Sequence, residues 1–136
     1  MDGMSQNNRD FLLALELGKL LDAHNGGDVM VMDMRSLNFW TDFFVIATVT
    51  SNTHLMGLQR HIKDFARERD LEILHRSREL RSDEWCLLDL GSIVIHLMSA
   101  KLRSFYELER LWNTASLVFD SRAHGGVPPV HSSKSS

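Results

Sequence analysis

The side chains here that could do chemistry are the carboxylates Asp33, Asp42 and Asp89, the seven histidines and the single cysteine, Cys86. Carboxylates converging on a divalent cation would support nucleotidyl transfer, because the ion clamps attacking and leaving oxygens together. Asp33 ends one apolar run, Asp42 begins the next and Asp89 lies in a third. None of them forms an Asp-x-Asp pair, so the spacing supplies no metal-ligand set, and Asp42 suits a turn. His54 and His61 are two helical turns apart, too far to share an ion. His24 falls at a predicted helix end, and His124 and His131 lie near the C-terminus. No phosphate loop or Gly-rich dinucleotide fingerprint is present. The residues therefore predict no catalytic site, no metal and no cofactor.

The elements that must position these groups are clearest in residues 84–113, EWCLLDLGSIVIHLMSAKLRSFYELERLWN. With Gly91 and Ser92 as a two-residue loop, Gly takes the positive φ that a type II′ turn requires. That choice sets the register. Leu90 faces Ile93, Leu88 faces Ile95 and Cys86 faces Leu97, so one face of the ribbon is apolar throughout. Trp85, Leu87 and Asp89 fall on the other face beside Met98, His96 and Val94. Cys86 and His96 cannot act as nucleophile and base, since they lie on opposite faces. Cys86 is expected in the core, and His96 is expected half-buried and hydrogen-bonded. The second, mixed face is expected to serve recognition, with Trp85, Asp89, His96 and Met98 as contacts, because charged groups are seldom buried without partners.

Earlier in the chain, residues 11–24 read as a helix with Leu13, Ala14, Leu17, Leu20 and Leu21 on one stripe. Asn25, Gly26 and Gly27 end it. Residues 29–34, VMVMDM, and 43–49, FFVIATV, are apolar on both sides and suit buried strands. Thr50, Ser51 and Asn52 offer N-caps for a second helix with Leu55, Leu58, Ile62, Phe65 and Ala66 on its stripe. Residues 71–76 read as a short strand, and 76–83, RSRELRSD, as a charged loop. Residues 101–112 read as a helix with core side chains Phe105, Leu108 and Trp112, Tyr106 at the border of the stripe, and Lys101, Arg103, Glu107, Glu109 and Arg110 facing solvent. The sum is an α/β domain over residues 1–120, a five-stranded mixed sheet with helices sharing the cover of both faces. Residues 121–136, with Pro128 and Pro129, read as a disordered tail.

Length and composition fit this. The chain has 136 residues, is 43% hydrophobic and carries a net charge of -3. One compact core is expected. The acidic balance weighs against direct nucleic-acid binding, which calls for a basic face. A single cysteine fits a reducing compartment. The N-terminal MDGMSQNNRD has no basic-then-apolar leader and no stretch reaches membrane-span length, so a soluble, unsecreted protein is expected.

The wording of four segments goes further. DVMVMDMR at 28–35, TDFFVIATVTS at 41–51, EWCLLDLGSIVIHLM at 84–98 and RSFYELERLW at 103–112 closely resemble the Iojap family of ribosomal silencing factors, in the family's order and spacing. The resemblance covers roughly residues 11–112. It implies a nucleotidyltransferase-like fold without catalytic residues. It also implies a factor that binds the large ribosomal subunit through ribosomal protein number fourteen and blocks joining of the small subunit under nutrient limitation. Bacterial members are cytoplasmic, organellar members assist large-subunit assembly, and homodimers are frequent. The absence of a transit segment favours a bacterial, cytoplasmic protein. The family's hairpin tryptophan matches Trp85 and its late tyrosine matches Tyr106. With Asp89, His96, Met98 and Glu107 these form the expected partner-binding patch. Thr48, Val49, Thr53, Arg78, Glu79 and Ser92 depart from the family's common residues, mostly removing acidic charge. Two rival readings remain: a retained nucleotidyltransferase using Asp33, Asp42 or Asp89, and an RNA-binding assembly factor using Arg60, Lys63 and Arg67.

Overall fold

The computed structural model describes residues 6–37, 41–74, 85–106 and 116–122, the side chains of residues 6, 7, 105 and 106 excepted. In chain order the elements are α1 (Gln6–Ala23), β1 (Gly27–Asp33), a 3-10 turn (Arg35–Leu37), β2 (Phe43–Val49), α2 (Asn52–Glu68), β3 (Trp85–Asp89), β4 (Ile93–Ser99), α3 (Ala100–Tyr106) and β5 (Ser116–Asp120). The end of the predicted strand at 75–76, the predicted loop at 76–83, the positions of Leu108, Glu109, Arg110 and Trp112, and residues 123–136 of the tail predicted over 121–136 lie outside the described residues, while Ser121 N donates to Val29 O at 2.9 Å.

The five strands form one mixed sheet in the order β3-β4-β2-β1-β5. β2 and β4 run parallel, and every other neighbouring pair is antiparallel. The α/β expectation with five strands therefore holds, but its fifth strand is a different one. Of residues 71–76, the described residues 71–74 contribute a single bridge, Leu74 to Asp89, closed by Leu74 N donating to Asp89 O at 2.7 Å. The fifth strand is β5, which pairs with β1 at the opposite edge.

Local chemistry explains the helices. Asn25 takes a left-handed φ of 70° after α1, and Gly26 N donates back to Leu21 O at 2.7 Å, closing the helix end. Ser51 caps α2, its Oγ accepting from His54 N at 3.0 Å. The α2 stripe of Leu55, Leu58, Ile62, Phe65 and Ala66 is buried as its spacing predicts. Both helices pack on one face of the sheet: Ala14, Leu17 and Leu21 from α1 and Leu58 and Ile62 from α2 share a core with Val31, Val45, Ile95 and Cys86. α3 meets the other face, where Arg103 reaches Thr48 on the side of Phe44 and Ile46, so the helices share the two faces as expected. The other face has its own buried cluster, Met32, Met34, Phe44, Ile46 and Val94, edged by Leu37, Leu87 and Leu117.

Two glycines give opposite predictions. A Cβ on Gly18 in α1 would collide with Val31 Cγ2, a β-branched side chain on a central strand that cannot swing away. A Cβ on Gly57 in α2 would meet nothing within 4 Å. Replacing a mid-helix glycine by alanine contributes roughly 0.5–1 kcal/mol where there is space. Gly57→Ala is thus expected to stabilise by about that amount. Gly18→Ala is expected to destabilise by about 1–2 kcal/mol, because overpacking outweighs the helix gain. Urea midpoints measured for both variants check the signs.

Candidate functional site

The hairpin β3–β4 forms with the predicted pairs: Trp85 with Met98, Cys86 with Leu97, Leu87 with His96, Leu88 with Ile95 and Asp89 with Val94. Gly91 has φ +92°, and Leu90 N donates to Ile93 O at 2.8 Å across the loop. Asp89 holds that loop from within, its Oδ1 accepting from Gly91 N at 2.8 Å. Cys86 is buried on the helix face, where Gln59 Nε2 donates to its sulfur at 2.8 Å.

The second face of the hairpin departs from expectation. Trp85, at the start of edge strand β3, is half-buried. Asp89, His96 and Met98 are only 1%, 6% and 0% exposed, so the picture of an open mixed face is corrected for these three. Alternation along a strand assigns a side chain to a face but does not say what lies over it. His96 is also not the hydrogen-bonded histidine expected. Neither ring nitrogen has a hydrogen-bond partner among the described residues. The ring meets Phe44 edge-on at 4.9 Å and lies under Trp85 at 6.2 Å, 27° from parallel. Burial pushes its pKa down to about 4, so it is neutral at physiological pH. Tyr106 closes α3, and its side chain, like all of Glu107, lies outside the described residues.

α3 is fastened by Arg103, expected on a solvated face but only 3% exposed. Its Nη1 donates to Thr48 Oγ1 at 2.9 Å and to Gly27 O at 3.4 Å, tying the helix to β2 and β1. Nothing in the alternating charges of the helix signals this, since these acceptors lie on distant strand ends.

The carboxylates gather near one end of the sheet. Arg35 Nε and Nη2 donate to Asp33 at 2.9 and 2.6 Å, while Asp42 and Asp10 act on the same guanidinium through their charge. Burial pushes the Asp33 carboxyl up, but hydrogen bonds from the Arg35 side chain and backbone and its charge outweigh this and hold it below its ordinary value. The Arg35 guanidinium, partly open to solvent, is thus the cation that neutralises Asp33. Among the described residues no group of three or more His, Cys, Asp or Glu side chains could hold a metal ion. His24 and His61 stack at 3.6 Å, joining the end of α1 to α2, a contact that sequence separation hides. Arg60, Lys63 and Arg67 are exposed along α2, with Arg67 paired to Asp64 at 2.5 Å. On the helix side, Arg9, Leu12, Leu13, Glu16, Arg69 and Leu71 line a cleft of about 280 Å³, away from the hairpin's second face.

The family model described as "Ribosomal silencing factor during starvation" matches residues 5–135. The chain belongs to this ribosomal silencing factor family. It is 44% identical over 86 residues to the ribosomal silencing factor RsfS of Treponema pallidum, covering 62% of this chain and 76% of that one. To the Bacillus subtilis RsfS it is 31% identical over 97 residues, covering 71% and 81%. A third relative is the mouse "Mitochondrial assembly of ribosomal large subunit protein 1", 34% identical over 104 residues, 74% of this chain and 45% of the relative. The chain thus spans about half the length of that mitochondrial relative. A crystal structure of a Chromobacterium violaceum protein superposes with a TM-score of 0.62 at 27% identity, covering 86% of this chain and 90% of the other. Among the described residues no helix is long and apolar enough to cross a membrane.

Proposed function

We propose that this chain is a silencing factor that binds the large ribosomal subunit through ribosomal protein number fourteen and keeps the small subunit from joining. The observation that carries the reading is Trp85, a partly covered side chain at the start of an edge strand of a family member, lying over the buried His96 ring and paired across the hairpin with the buried Met98. An aromatic anchor on a rigid, apolar floor is the kind of side chain that dominates binding energy, while rim charges mainly steer the encounter. Tyr106 and Glu107 extend the contact, His96 and Met98 act by supporting Trp85, and Asp89 acts by holding the Gly91 loop. The mechanism is steric, and no bond is broken. Repression under nutrient limitation, a cytoplasmic location and a homodimeric state belong to the same reading. A role in large-subunit assembly is the second reading, favoured by the name of the mouse relative.

Trp85→Ala is expected to weaken binding to purified large subunits by about 2 kcal/mol or more, roughly thirtyfold, with the fold intact. Co-sedimentation measures this, and far-ultraviolet circular dichroism checks the fold. Addition of small subunits to the same mixture reads joining: wild type should lower the yield of joined ribosomes. Wild type that leaves joining unchanged would remove the silencing mechanism and leave the assembly role.

A further inference from the structure

α2 carries its charges unevenly around its circumference. Two contacts fix how the helix is turned: Gln59 Nε2 donates to Cys86 Sγ at 2.8 Å on the side of edge strand β3, and His61 stacks on His24 of α1 at 3.6 Å on the other. With about 3.6 residues per turn, Met56, Lys63 and Arg67 fall on the flank towards β3 and Arg60 on the outward crest. Glu68 falls towards α1, and Asp64 lies just on that side of the crest. Met56, Arg60, Lys63 and Arg67 are all exposed, Met56 at 52%. Arg67 pairs with Asp64 at 2.5 Å, whereas Arg60 and Lys63 have no ion-pair partner among the described residues. The net charge of -3 is a sum over the whole chain and conceals this cationic flank. Because Cys86 follows Trp85 on the same strand, the flank and the Trp85 side chain belong to the same edge of the sheet, on its two faces.

We propose that this flank of α2 binds the phosphate backbone of RNA on the large ribosomal subunit, beside the ribosomal protein that Trp85 engages. The RNA contact rests on the docking reading given above and adds a second class of contact to it. A large subunit is a ribonucleoprotein, and its densest negative charge is the RNA backbone, with one charge on every nucleotide. Guanidinium groups match phosphate geometry, and cations gathered on one helix flank are the footprint by which such a backbone is held. Along the helix axis Arg60, Lys63 and Arg67 are spaced by about 4.5 and 6 Å, so they line up against a short run of one strand. Met56, an adaptable apolar side chain one turn before Arg60, packs on the sugar beside that run. Phosphate contacts position a protein without reading sequence. The flank therefore sets the orientation of the docked chain, and Trp85 sets which protein it docks on.

The test uses the triple variant Arg60→Gln, Lys63→Gln and Arg67→Gln, in which each exposed position keeps a good helix former. Lys19→Gln, which removes an exposed cation of α1, is the control. Binding of the full chain to purified large subunits is measured from about 50 to 200 mM salt, with Trp85→Ala alongside. The triple variant is expected to bind roughly tenfold or more weakly at the low-salt end, with a slope of log K against log salt shallower by about 2–3. Lys19→Gln should follow wild type, and Trp85→Ala should weaken binding with the wild-type slope. A photoreactive benzophenone at Lys63 identifies the occupant: attachment to RNA is expected, and attachment to protein alone overturns the proposal in favour of an acidic protein segment. A triple variant with the wild-type slope also overturns it and leaves the docking reading standing. Loss of binding by the triple variant with Trp85→Ala unaffected removes the docking role of Trp85 and keeps the RNA contact. Wild type that fails to bind large subunits overturns both.

Discussion

Between pH 6.5 and about 4 the fold is expected to lose about 3 kcal/mol through His96 alone. The ordinary histidine pKa applies in the unfolded chain, and burial lowers it to about 4 in the folded one. In that window the unfolded chain takes up a proton that the folded chain refuses. Stability supplied by the neutral imidazole is complete above pH 6.5, falls as the pH drops towards 4, and levels off below. His96→Leu removes the titrating group, so its urea midpoint should fall much less across the same range. Parallel wild-type and variant curves between pH 7 and 4 would show that His96 is open to water in the folded state. The same substitution is expected to raise stability at pH 7, by removing two unpaired nitrogens.

Phe43→Ala is expected to cost about 3–5 kcal/mol, the range for removing a fully buried aromatic. Phe43 is 0% exposed and opens β2. Phe11 of α1 meets its ring edge-on at 6.1 Å, and the Arg35 guanidinium lies 5.0 Å above it. Removal therefore opens a cavity between α1 and the sheet and takes away the ring beneath the Arg35 guanidinium. Phe43→Leu keeps most of the volume and is expected to cost about 1–1.5 kcal/mol. Equilibrium denaturation separates the two. An alanine variant within 1 kcal/mol of wild type would mean that this end of the core collapses without loss, contrary to close packing.

Much of the fold is legible in residue order because its periodic signals are local. The α2 stripe, the Ser51 cap and each pair of the β3–β4 hairpin follow from spacing and from one glycine with φ +92°. Strand β5 was not assigned from residue order, because SLVFD is a short run with one β-branched and one aromatic residue, and five residues give a weak signal without a partner strand in view. The LEILHR run (71–76) carries a similar pattern, and its described residues, 71–74, contribute one bridge, Leu74 to Asp89 at the β3 edge. A strand is defined by what pairs with it, and pairing is not written in either segment.

The candidate site divides the same way. Residue order by itself determined the family, the hairpin register and the face on which Trp85, Asp89, His96 and Met98 lie, because alternation along a strand is a property of the backbone. Only the tertiary structure decided that Asp89, His96 and Met98 are sealed while Trp85 is only partly covered, that Arg103 turns inward to Thr48, and that Arg35 pairs with Asp33. Burial depends on which distant segment arrives over a face. That is settled by packing across the whole chain and not by the chemistry of neighbouring residues.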